Sequence, residues 1–191
     1  SWYYPFPDYK FPMTVYSEEY LPKKGELNRT EYNFDRFRLQ LFQESPVYDT
    51  LLDNDLYQEF ANSFLLMIGR EQPEMETVYA KFSNERDRNF AIRTEIGSTE
   101  NGRLVKKVPE TKEAEKHVNN LGKICEELDK LYEPVGIRVN RCKAQPEAAE
   151  FEYLTGVTLE EKLDTLLESG KEDQLEELLF SYIDKVKQIH E

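Results

Sequence analysis

The sequence predicts an α+β protein: a five-stranded antiparallel sheet with one long packed helix and a C-terminal helical pair, preceded by a mixed α/β segment over residues 1–70. Three observations carry this expectation. Between residues 77 and 108, three runs alternate apolar and polar side chains and are separated by turn-rich stretches, as consecutive half-buried strands do. Beyond Glu110, the residues Ala114, Val118, Leu121, Cys125, Leu128 and Tyr132 recur at three- and four-residue steps, which is one apolar helix stripe. Residues 1–70 differ in texture, with aromatic residues and prolines crowded together at their start.

Taken in order, residues 2–12 contain three prolines among six aromatic residues; proline denies both helix and central-strand pairing, so a structured aromatic loop is expected. A short strand over 13–16 follows, then a turn at Pro22, Lys23, Lys24 and Gly25, then an amphipathic helix over 35–43. Leu51, Leu52, Leu56 and Phe60 continue at helical spacing, and 62–68 is a compact apolar run suited to a strand and closed by Gly69. Residues 71–75 have linker composition and divide a first segment, 1–70, from a domain over 76–191.

In that domain, strands are expected over 77–82, 90–96 and 103–108, the last stopped by Pro109. The long helix ends at Pro134, Val135 and Gly136, and two further strands cover 137–143 and 148–154. After the break at Thr155 and Gly156, Thr158 with Glu161 three residues later forms a capping box for a helix carrying Leu159, Leu163, Leu166 and Leu167. Gly170 ends it, and 173–189 is a last amphipathic helix.

Composition narrows the function. Lysine and arginine total 25 against 38 aspartates and glutamates, a net charge of −13, which repels a phosphate backbone; nucleic acid is not an expected partner. No run approaches the roughly 18 apolar residues of a membrane span, so a cytoplasmic location is expected, with membrane association only through the parent pathway. Cys125 and Cys142 belong to no Cys-x-x-Cys pair, and His117 and His190 complete no zinc-ligand spacing, so buried free thiols and no metal site are expected.

The order of three strands, a striped helix, two strands, a glycine-containing break and a helical pair resembles the small lobe of kinase-like folds of the aminoglycoside-, choline- and lipopolysaccharide-kinase type. Val105, Lys106 and Lys107 look like the third-strand segment whose lysine grips nucleotide phosphates, and Glu113 or Glu115 stands where the helix glutamate would pair with it. Residues 151–160 are similar to the hinge that meets adenine, which would place Glu152 and Leu154 as its backbone ligands. The resemblance covers about residues 76–190, and it implies ATP with magnesium in a complete kinase-like parent. The loop over 83–89 departs from the pattern: it has no glycine to fold over phosphates, and it carries acids.

Residues 2–12, the turn from Tyr20 to Gly25, and residues 60–65 resemble the carboxy-terminal part of S-adenosylmethionine-dependent methyltransferases from bacterial cell-surface polysaccharide clusters. The resemblance implies S-adenosylmethionine in a missing half, because no two of the eight glycines lie close enough for a G-x-G turn.

Each site has a plainer reading beside the functional one. Exposed lysines are common on strands, and carboxylates in a first helical turn are favoured by the helix dipole without any partner. Adjacent Lys106 and Lys107 must face opposite sides of their strand, so one of them at most can serve the cleft. His117 sits at the edge of the helix stripe and His190 near the chain end. The aromatic residues between Trp2 and Phe11 could stack on a sugar but more often pack inward, and any left exposed would drive homo-oligomerisation. The expectation is therefore a non-catalytic fragment of a multidomain transferase in cell-surface polysaccharide biosynthesis. It holds no cofactor in isolation, couples or positions neighbouring domains of the same parent, and has a sugar or nucleotide as its ligand. The alternative is the N-terminal lobe of a nucleotide-dependent sugar or small-molecule kinase.

Overall fold

The computed structural model describes residues 1–27, 42–69, 75–145 and 147–190. Its centre is one antiparallel sheet of eight strands: β1 (Trp2–Phe6), β2 (Thr14–Ser17), β3 (Leu65–Leu66), β4 (Glu76–Phe82), β5 (Ile92–Thr99), β6 (Gly102–Pro109), β7 (Cys142–Gln145) and β8 (Ala148–Glu152). They lie in the order β3-β1-β2-β4-β5-β6-β8-β7. The α+β class and the antiparallel sheet are as expected, but the strands number eight rather than five.

The three additional strands come from the N-terminal segment. Thr14 pairs with Lys81 and Val15 with Ala80, so β2 takes up the open edge of β4 and satisfies backbone groups that would otherwise be free. Residues on both sides of the expected linker thus share one sheet. Positions 71–74 of that linker, and positions 35–41 of the helix expected over 35–43, lie outside the described residues.

Two local expectations are corrected. Residues 2–6 form a strand rather than a loop, because Pro5 lies past the end of β3, which reaches only to Tyr3, and so needs a partner on one side alone. The strand expected over 137–143 begins only at Cys142. Gly136, with φ of 71°, turns the chain after the long helix, and the Ile137 amide donates back to the Tyr132 carbonyl.

Helices α1 (Ser45–Asp53), α2 (Tyr57–Phe60) and α3 (Glu115–Tyr132) supply the packing. Around α1 and α2, Tyr4, Tyr16, Leu27, Tyr48, Tyr57 and Ala61 form one buried cluster, its rings meeting edge to face or tilted. Around α3, Val118 closes on Ile92 and Ala149. The strand registers run Tyr79, Ile96, Val105, Phe151 and Cys142 across one face, which carries both clusters. The far end of the α3 stripe is less enclosed than expected, Leu128 being 36% exposed.

Helices α4 (Leu159–Glu168) and α5 (Glu172–His190) form the C-terminal pair. The capping box is present: Thr158 accepts from the Glu161 amide while Glu161 accepts from the Thr158 amide. Glu161 also pairs with Lys23 at 2.8 Å. Among the described residues no helix is long and apolar enough to cross a membrane.

Candidate functional site

Strand alternation sends the two candidate lysines to opposite faces. Lys106 lies in a cross-strand row with Glu95, Glu150 and Lys143, on the face away from α3, and its Nζ is 3.1 Å from Glu150 Oε1. The row continues into Arg93, which bridges Glu95 at 2.6 Å and also meets Glu110. Opposite charges directly across strands stabilise a sheet, and these pairs are half-buried, so Lys106 is held by its neighbours.

Lys107 lies on the α3 face, its Nζ 5.5 Å from the centre of the Phe151 ring, in register with Thr94 and Ala149. Glu113 pairs with Arg88 at 3.6 Å across the short turns before α3. Glu115 is exposed in the first turn of α3. Among the described residues no ion pair joins Lys106 or Lys107 to either glutamate. The Glu152 carboxylate accepts from Arg138 and its carbonyl from Asn140, while Leu154 is 49% exposed. The sequence-predicted residues are thus spread over both faces and the β8 exit.

A second locus arises where the N-terminal loop meets the turn between β4 and β5. A cavity of about 440 Å³ is lined by Lys10, Phe11, Pro12, Met13, Phe82, Asn84 and Glu85. The Phe82 amide donates to the Met13 carbonyl at 2.8 Å, and Asn84 Nδ2 donates to the Pro12 carbonyl at 3.1 Å, so the walls are tied together. Asp8 Oδ1 accepts from the Lys10 amide and fixes the loop itself. The aromatic residues expected to pack inward divide: Tyr4 and Phe6 join the core, whereas Tyr9 and Phe11 are 69% and 64% exposed.

Burial and neighbours shift several groups. Burial, more than any charge, pushes the Tyr16 hydroxyl up to about 12, and raises Tyr57 and Tyr79 further. Lys23 and the Thr158 amide hold the Glu161 carboxyl below the usual glutamate range. His117 packs edge-on against Phe90, ring centres 5.2 Å apart. Among the described residues no cluster of three or more metal-ligating side chains occurs.

No family model, curated protein or solved structure matches the chain.

Sequence reasoning missed the cavity. Phe11 stood out as part of an aromatic segment and Met13 as the start of a short strand, but Phe82, Asn84 and Glu85 are about seventy residues distant, and only the β2–β4 pairing brings them together.

Proposed function

We propose that the chain is a non-catalytic module of a multidomain bacterial transferase that builds or modifies cell-surface polysaccharide, where it couples neighbouring domains and positions a sugar. The observation that carries this reading is the 440 Å³ cavity between the aromatic loop and the β4–β5 turn. Apolar walls from Phe11, Met13 and Phe82 with polar groups at Lys10, Asn84 and Glu85 suit a pyranose, whose C–H face stacks on rings while its hydroxyls bond at the rim. The polysaccharide context rests on the resemblance of residues 2–70.

Domain coupling draws support from the β3 edge. Phe64, Leu65, Leu66, Met67 and Ile68 are 44% to 88% exposed, beside Trp2 at 44%. A run of apolar side chains along an open strand edge is a surface that a neighbouring domain, or a second copy, would cover.

The second reading, a nucleotide-dependent kinase lobe, is favoured by the element order β4-β5-β6-α3-β7-β8-α4-α5, on which the resemblance rests. Against it, the Lys106 ammonium is already paired with Glu150. Thermal unfolding separates the two. A hexose, hexosamine or deoxyhexose at many times its dissociation constant should raise Tm by a few degrees in the wild type and not in Phe11→Ala or Asn84→Ala. ATP with magnesium should leave Tm unchanged. A nucleotide-induced rise that disappears in Lys106→Ala or Lys107→Ala would instead establish the kinase lobe, and no response to any sugar would end the positioning role.

A further inference from the structure

Helix α3 and the edge strand β7 approach closely at Gly122 and Ala144: a Cβ placed on Gly122 would lie 3.1 Å from the Ala144 Cβ. Cys125 is three residues further along the helix, on the same side as Gly122. Cys142 is two residues back along the strand, on the same face as Ala144. The close approach therefore aims the only two cysteines of the chain at each other. Both cysteines line one cavity between α3 and β7, and both are half-buried rather than sealed in the core. That cavity is about 250 Å³ in volume, and Glu126, Asp129 and Arg141 share its wall, which offers both signs of charge to a zwitterionic visitor.

We propose that Cys125 and Cys142 are a dithiol site that a small zwitterionic disulfide of the glutathione type oxidises to an intramolecular Cys125–Cys142 disulfide. Burial first, and then the neighbouring Cys125 sulfur, push the Cys142 thiol up to about 11, while Lys107 acts in the opposite sense. Burial thus disfavours a Cys142 thiolate as the first attacker.

In the first step the Cys125 thiolate attacks one sulfur of the small disulfide. That S–S bond breaks, one thiolate leaves with the electron pair, and Cys125 carries a mixed disulfide. Cys142 then loses its proton and attacks the Cys125 Sγ, expelling the second thiolate. Two protein thiols are oxidised, one small disulfide is reduced to two thiols, and the departing thiolates take up the released protons. The bond ties α3 to β7 and closes the loop that turns at Gly136.

The test treats the full chain with oxidised glutathione, caps remaining thiols with N-ethylmaleimide, and reads intact mass and unreduced peptides. The wild type is expected to lose both cappable thiols and the mass of two hydrogens, with the Cys125 and Cys142 peptides joined. Cys142→Ser should stop at one stable glutathione adduct. Ring closure should slow by roughly tenfold or more in denaturing urea, where the two thiols no longer meet. A wild type that carries two glutathione adducts, or one adduct beside a cappable thiol, or that keeps both thiols, overturns the proposal. So does closure at the same rate in urea.

Discussion

The Arg103 guanidinium donates a 2.9 Å hydrogen bond to the backbone carbonyl of Glu19, joining the start of β6 to the turn that follows β2. The same guanidinium lies 5.7 Å from the ring centres of Tyr20 and of Tyr153, so one side chain reaches the N-terminal segment, the sheet and the exit from β8. These contacts are exposed, which keeps their individual worth small. Arg103→Ala is expected to destabilise the protein by about 1–2 kcal/mol, read from urea unfolding, for the loss of one charge-assisted hydrogen bond and the cation–π contacts. Arg103→Lys should recover only part of this, because an ammonium lacks the planar fork that serves carbonyl and rings together. An unchanged midpoint in Arg103→Ala would show that this junction contributes nothing.

Gly97 and Met75 set a second expectation. A Cβ at Gly97 would overlap the Cγ and Sδ of Met75, so that side chain would have to move. Gly97→Ala should cost no more than about 1 kcal/mol, because the atoms in the way are the end of a flexible, half-buried methionine that can swing aside. Met75→Ala vacates the space, so the double variant Gly97→Ala/Met75→Ala should be destabilised by less than the sum of the single changes. Additive penalties would place the cost in the β5 backbone instead of in this contact.

The tyrosine cluster makes stability fall at high pH. The ordinary tyrosine value is 10.0, and the folded protein raises Tyr16 to about 12 through burial and moves Tyr57 and Tyr79 in the same direction. Between those values the unfolded chain has lost protons that the folded chain retains. The stability these groups contribute is whole below pH 10 and is lost as pH rises towards the folded values. Tm measured from neutral pH upward should stay level with respect to these groups and then decline above pH 10, and Tyr57→Phe should make the decline shallower. An equally steep decline in that variant would assign the effect to other groups.

Much of the fold was legible because it rests on local periodicity. The three alternating runs became β4, β5 and β6, the stripe of Val118 and Leu121 became the packed side of α3, and Thr158 with Glu161 formed the capping box. Each depends on residues a few positions apart. The opposite orientations of Lys106 and Lys107 were legible for the same reason, since alternation alone sends them to different faces.

The partners of those lysines were not legible. Glu150 meets Lys106, and Phe151 meets Lys107, only because β8 returns to lie beside β6 in one particular register. The strand at Trp2–Phe6 was hidden by Pro5, whose penalty depends on which neighbours are present. That Cys125 and Cys142 line one cavity likewise needed the close approach of Gly122 to Ala144.

The amino-acid sequence by itself determined the α+β class, the order of the central strands and helices, the acidic balance and the helix cap, because side-chain period, charge and capping chemistry act over one or two turns of chain. Only the tertiary structure decided that the N-terminal segment extends the same sheet, that a cavity opens between Phe11 and Phe82, and which charges and thiols meet. Those outcomes depend on pairing between distant segments, where the need to satisfy strand edges and bury side chains selects one register among many that local pattern permits.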